Sequence, residues 1–177
     1  MLPRSLTTDR LRLRPLDPAE VGGAYVDWLA DPRVNRYLET RHSPQSLEAI
    51  RAFVADCNAS DHSALFGMFP IGLDRHIGNI KIGPVDSRYL RADIGLLIGD
   101  PDHWGKGYAA EAIGAVTGFA FDDLGLHKVT AGCYAANEGS RRAFLANGFR
   151  EVGRRAEHWL VGDEWMDDVM LERLRPR

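Results

Sequence analysis

Polar and apolar residues alternate without a break through Arg10-Leu11-Arg12-Leu13-Arg14, the period of a strand with one face in the core and one in water. Asp17-Pro18 then carries the signal of a helix start, and Tyr25, Trp28 and Leu29 sustain the helix until Asp31-Pro32 interrupts it. A short helical piece is expected from Val34 to Leu38. Ser43-Pro44 opens a second full helix, with Leu47, Ile50, Phe53 and Val54 on one face.

Beyond that helix the period shortens again. Ala64 to Phe69 and His76 to Ile82 read as an antiparallel pair, and Ala92 to Ile98 as a third, nearly continuous apolar strand. After a glycine-rich loop, Ala109, Ile113, Val116, Ala120 and Leu124 recur at steps of 4, 3, 4 and 4, which predicts a helix with one buried stripe. Lys128 to Tyr134 returns as a strand, so the segment is a crossover that makes two neighbouring strands parallel. Asn137 caps a shorter helix carrying Ala143, Phe144 and Leu145, and Asn147-Gly148 ends it. Two last strands are expected near Phe149–Trp159 and Trp165–Leu174. No repeat, low-complexity tract or linker divides this pattern, so the expectation is one mixed α/β domain over 1–177, its core from about 8 to 174.

Composition narrows the function more than the fold. Hydrophobic residues at 45% and charged residues at 27% are those of an ordinary globular protein, and a net charge of -3 offers no general attraction to nucleic acid or to an anionic membrane. The start, MLPRSLTTDR, lacks the apolar core of a signal peptide, and no run approaches ~18 apolar residues. Cys57 and Cys133 are too few and too scattered for a disulfide framework or a cysteine metal site, which fits packing residues in a reduced, cytoplasmic setting. The six histidines show no metal-binding spacing, so no metal is expected; His103 and His127 read as surface or helix-end residues. No G-x-S-x-G elbow supports an acyl-enzyme hydrolase.

The loop His103-Trp104-Gly105-Lys106-Gly107-Tyr108 sets two glycines and a cation at the start of a helix, where unpaired N–H groups and the helix dipole favour an anion. A nucleoside triphosphate loop is excluded, because GxxxxGK[ST] is absent. Gly105, Gly107 and Ala110 satisfy a dinucleotide fingerprint in letters, but nothing acidic ends the strand that follows. The pyrophosphate of coenzyme A is the third candidate.

Here the chain resembles the GNAT family of acetyl-CoA-dependent N-acetyltransferases, whose loop reads Q/R-x-x-G-x-G/A. Trp104-x-x-Gly107-x-Ala109 matches except in its first residue, and tryptophan within WGKGYAAEA is similar to the Rim-type ribosomal-protein N-acetyltransferase branch. Thr8-Asp9-Arg10-Leu11-Arg12-Leu13-Arg14, Asp31-Pro32-Arg33-Val34, Ile77-Gly78-Asn79-Ile80, Ala92-Asp93-Ile94-Gly95 and Asn137-Glu138-Gly139-Ser140 with Asn147-Gly148-Phe149 extend the likeness, in order, over almost the whole chain. The resemblance implies a largely antiparallel sheet of six to seven strands flanked by about four helices, with a splayed parallel strand pair holding acetyl-CoA. It implies cofactor contacts at Leu97, Ile98 and Gly99, in the loop Trp104, Gly105, Lys106, Gly107, Tyr108 and Ala109, and at Asn137 and Ser140.

Acetyl transfer to an amine requires a neutral amine, a polarised thioester carbonyl and a protonated leaving sulfur. Many relatives carry a tyrosine seven positions after the asparagine that matches Asn137; here that position is Phe144, which leaves Ser140 as the candidate acid. Asp93, alone among apolar neighbours, is the candidate base unless Arg91 neutralises it, and Glu39 is the second. Glu111 reads as a helix-dipole partner. The expected activity is transfer of an acetyl group to a primary amine, either a protein N-terminal α-amine or a small molecule, by a monomer or homodimer. An amino sugar, possibly nucleotide-linked with Arg33, Arg36 and Arg41 as phosphate partners, is the alternative. A catalytically silent CoA-binding or sensing module is the rival from another class.

Overall fold

The computed structural model describes residues 5–43, 45–73 and 75–177. Among the described residues the chain forms eight strands and five α-helices: β1 (Leu6–Thr7), β2 (Leu11–Arg14), α1 (Gly23–Ala30), α2 (Pro32–Asn35), α3 (Leu47–Ala59), β3 (Ala64–Pro70), β4 (Gly78–Ile82), β5 (Arg91–Ile98), α4 (Tyr108–Asp122), β6 (Lys128–Tyr134), α5 (Glu138–Leu145), β7 (Arg150–Val161) and β8 (Glu164–Leu174). They build one sheet in the order β1-β2-β3-β4-β5-β6-β8-β7, antiparallel throughout except for β5 and β6. The expected architecture stands, with more strands than the six to seven anticipated, β1 being a two-residue edge.

Both faces of the sheet are covered near its middle, which is why all of β3 is buried. Phe66 and Met68 join Ile80, Ile82 and Ile94 under the Ile113–Val116–Ala120 stripe of α4, while Leu65 and Phe69 meet Tyr25, Trp28, Ile50 and Val54 from α1 and α3. The chain departs from the expected elements where local chemistry intervenes. No helix runs unbroken from Asp17: a capping box with Glu20 closes a 3-10 turn at Pro18–Glu20, and extended Gly22 restarts the chain as α1. Asp31 caps α2, so the piece expected from Val34 to Leu38 lies at Pro32–Asn35, followed by a 3-10 turn at Glu39–His42. Ser46, not Ser43-Pro44, caps α3, and Pro44 lies outside the described residues, as do residues 1–4 of the MLPRSLTTDR start. Phe53 is 42% exposed, because the buried stripe of α3 is Ile50, Val54 and Cys57. None of the described helices is long and apolar enough to cross a membrane.

Candidate active site

The parallel pair is short. β5 and β6 are in register only at Arg91–Lys128, Ala92–Val129 and Asp93–Thr130. Beyond Asp93, β5 continues against β4 as far as Ile98, whereas β6 continues against β8 as far as Tyr134. The two strands therefore part, and their facing edges carry backbone N–H and C=O groups without sheet partners, a wedge suited to an extended amide chain. Leu97 and Ile98 border it. The Trp104 indole N–H closes part of its mouth by donating to the Ile98 carbonyl at 2.7 Å. Gly99 lies past its end: its N–H donates to Ile77 at 2.9 Å, and a Cβ there would fall 2.1 Å from the Trp28 ring, so packing on Trp28 accounts for this glycine.

The glycine loop joins the wedge to α4. Asp100 caps a 3-10 turn at Pro101–His103, after which Gly105 and Gly107 take positive φ of 69° and 82° and turn the chain into α4. The N–H groups from Gly105 through Ala110, spanning Lys106, Tyr108 and Ala109, meet no acceptor among the described residues. They fit a phosphate. Sequence reasoning missed Arg10, which flanks them: Nη1 donates to the Lys106 carbonyl at 3.0 Å, and Nη2 stands 3.3 Å from where a Gly107 Cβ would lie. Glu111 holds Arg10 there by bonds of 2.7 Å to Nε and 2.8 Å to the backbone N–H, and also accepts from the Thr8 hydroxyl. Burial pushes the Glu111 carboxyl up, but the Thr8 and Arg10 bonds outweigh it and leave it below its ordinary value. Glu111 is thus an anchor across 101 residues rather than only a dipole partner. Of the two histidines read as surface or helix-end residues, His103 ends the 3-10 turn and is buried against Asp100, its Nδ1 at 3.2 Å, and His127 is exposed.

At the far end of β6, Asn137 begins α5. Its side-chain oxygen accepts the Ser140 N–H at 3.2 Å, so the side chain itself is the cap. Ser140 is half-buried, and its hydroxyl has no partner among the described residues. Phe144 is a core residue packed edge-on against Phe149.

The sheet face opposite α4 carries the remaining polar groups. Asp93 accepts the Thr130 hydroxyl at 2.9 Å and has no cation within ion-pair distance, since Arg91 pairs with Asp86 instead. Asp93 is exposed as a residue, yet crowding at the strand junction strips water from its carboxyl, and the nearby Asp168 charge adds to the effect, raising it to about 6. Asp168 is buried on β8, held by Arg155 at 2.7 and 3.0 Å and by the Trp159 indole N–H at 3.1 Å. Trp159 stacks on Tyr134, with ring centroids 4.9 Å apart, and Tyr37 leans on the same tyrosine. Glu39 is brought to this wall but is engaged: its carboxylate accepts the Tyr134 hydroxyl and Arg41 Nη1 at 3.1 Å, while Arg41 Nη2 reaches the Leu160 carbonyl at 3.2 Å. Arg33 folds back on Asp31 at 2.6 Å, and Arg36 lies over the Tyr37 ring. The described residues hold no cluster able to bind a metal ion.

Comparison with known proteins meets this geometry from outside. A family model described as an acetyltransferase (GNAT) domain matches residues 10–150. The chain is 29% identical over 175 residues to the uncharacterized N-acetyltransferase YoaA of Bacillus subtilis, covering 97% of each. Among solved structures it is similar to a GNAT-family acetyltransferase from Bacillus anthracis, with a TM-score of 0.82 at 25% identity over 96% of this chain and 98% of that one. It shares its fold with the spermidine N-acetyltransferase of Vibrio cholerae solved in complex with CoA and spermine, at a TM-score of 0.83 and 18% identity over 94% of this chain and 96% of that one.

Proposed function

Because the chain belongs to the GNAT family of N-acetyltransferases, which use acetyl-CoA, we propose that it acetylates a small primary amine with Asp93 as the base. The observation that carries this reading is the parting of β5 and β6 directly after Asp93 and Thr130, which puts at the apex of the wedge a carboxylate with no ion-pair partner among the described residues. Acetyl-CoA supplies the activated acetyl group as a thioester. The loop amides from Gly105 to Ala110, with Arg10 beside them, are the groups that would hold its pyrophosphate, and the free edges of β5 and β6 would hold the amide arm.

The amine arrives as an ammonium on the face of Asp93. Asp93, ionised above about 6, takes one proton from it and leaves a nucleophilic lone pair. The N–C bond forms as the C–S bond breaks. Ser140, whose hydroxyl is uncommitted, gives the sulfur a proton and takes back the one shed by the acetylated nitrogen through water. Phe144 cannot share that role, being a packed core ring.

The acceptor chemistry follows from which charges are already paired. Arg33 and Arg41 bind Asp31 and Glu39, so the arginines of this region offer a nucleotide-linked sugar little beyond Arg36. Asp93 has no ion-pair partner among the described residues, only the longer-range charge of Lys81, which favours a positive acceptor, and the fold likeness to a spermidine N-acetyltransferase supports a small amine. Release of free CoA should be followed across a panel of primary amines. Turnover with at least one establishes the reading; acetyl-CoA binding without turnover on any of them replaces it with the sensing module.

A further inference from the structure

Side chains alternate along a strand, so the face that carries Asp93 shows Asp93, Gly95 and Leu97 on β5, and Thr130, Gly132 and Tyr134 on β6. Asp93 and Thr130 are the last paired residues. Gly95 and Gly132 are therefore the first positions on this face after the strands part, one on each lip of the wedge. Both are exposed.

Neither glycine is explained by the backbone, since neither has a positive φ. Close packing does not explain Gly95 either: a Cβ there would meet nothing within 4 Å. At Gly132 a Cβ would stand 3.3 Å from Asp168 Oδ1, tight but with a side chain rather than backbone. Glycine inside a strand costs stability relative to a residue with a side chain, and it commonly marks a place where a ligand comes close. Two bare positions opposite each other, where the sheet opens beside an unpaired carboxylate, leave room for something outside the chain. Asp93, with no ion-pair partner among the described residues and only the longer-range charge of Lys81 near it, favours a cation, and the open space beside Gly95 accommodates a substituent on the carbon that bears the charge.

We infer that Gly95 and Gly132 form a doorway to Asp93 that admits primary amines whose nitrogen-bearing carbon is branched. The inference rests on the acetyl-transfer reading and sharpens it from a small primary amine to one with a substituent beside the nitrogen. Gly95 determines specificity without touching the proton: a methyl or isopropyl group there narrows the passage from one lip while leaving Asp93, Thr130 and the glycine loop in place.

The test uses L-alaninamide, whose amine-bearing carbon is branched, and spermidine, whose terminal amines sit on unbranched carbons. The unaltered chain should acetylate L-alaninamide. Gly95→Ala and then Gly95→Val should lower kcat/KM for L-alaninamide by about tenfold or more at the larger step, with a clearly smaller loss for spermidine. The melting temperature of Gly95→Ala should not fall, because its Cβ meets nothing within 4 Å. Both amines are compared at saturating acetyl-CoA, so that any change in its affinity cancels in their ratio, and should Gly95→Val fail to fold, Gly95→Ala carries the same comparison. An unchanged ratio of the two amines in a folded variant overturns the doorway, as does a parent chain that acetylates spermidine but not L-alaninamide. Turnover of neither amine by a parent chain that acetylates another member of the amine panel overturns the doorway alone; turnover of no amine at all removes the acetyl-transfer reading and the doorway with it.

Discussion

Asp93 is defined by its neighbours: the crowded strand junction and the Asp168 charge favour its proton, while the Thr130 hydroxyl and the Lys81 charge favour its ionised form. Its carboxyl rises from 3.8 to about 6, so between those values the folded chain holds a proton that the unfolded chain has released. Stability from this residue is lost as pH rises through that window and stays lost above it. Asp93→Asn should thus melt no lower than the parent near neutrality, with any gain vanishing below the unfolded value, while transfer slows by ~10²–10⁴ and acetyl-CoA affinity holds. Melting curves and pH–rate profiles measured together check it, and a melting temperature that drops would instead mark Asp93 as a structural residue. Asp168 offers a second handle. Asp168→Asn removes a negative neighbour and should move the acid limb of kcat/KM to lower pH; Arg155→Met leaves the Asp168 charge uncompensated and should move it higher. Shifts of the same sign in both variants would count against this coupling.

At the scale of elements, the glycine loop and α4 depend on a strand far away in sequence. Gly107→Val would hold a branched residue at φ 82° and push a side chain against Arg10, at a cost of roughly 1–2 kcal/mol in backbone conformation. Acetyl-CoA affinity should fall more than stability does, which calorimetric titration beside a melting curve resolves. The loop was legible in the sequence because glycines, cation and helix stripe are neighbours there. Arg10 was not, since its partner Glu111 lies across the fold and an alternating R-L-R-L-R strand gives every arginine the same outward reading. The same limit hid the wall of Trp159, Asp168 and Tyr134, which strand insertion of β8 between β6 and β7 brings together. Why position 99 is a glycine was not legible either: Trp28, distant in sequence, packs where its Cβ would stand. Helix ends were blurred wherever two cap signals competed, as at Ser43 and Ser46.

For the whole molecule, Arg41 ties three distant parts together: its own 3-10 turn through Glu39, the end of β6 through the Tyr134 hydroxyl at 2.7 Å, and the β7–β8 hairpin through Leu160. Tyr134→Phe removes the hydroxyl at the centre of this clasp. Amide exchange should then quicken in residues 37–42 and 157–165 while the core under α4 stays protected, and acceptor KM should rise with little change in acetyl-CoA affinity. Uniform protection in the variant would show that the clasp is incidental. The brevity of the join between β5 and β6 has a mechanical consequence. Only three residue pairs stitch one half of the sheet to the other, with α4 packed across both, so the weakest seam within the sheet runs through the site where the chemistry is proposed. A molecule lodged in that crack acts as a rivet: when it is bound, the halves should come apart at a higher temperature and more nearly as one body, and when it leaves, the enzyme is at its most breakable.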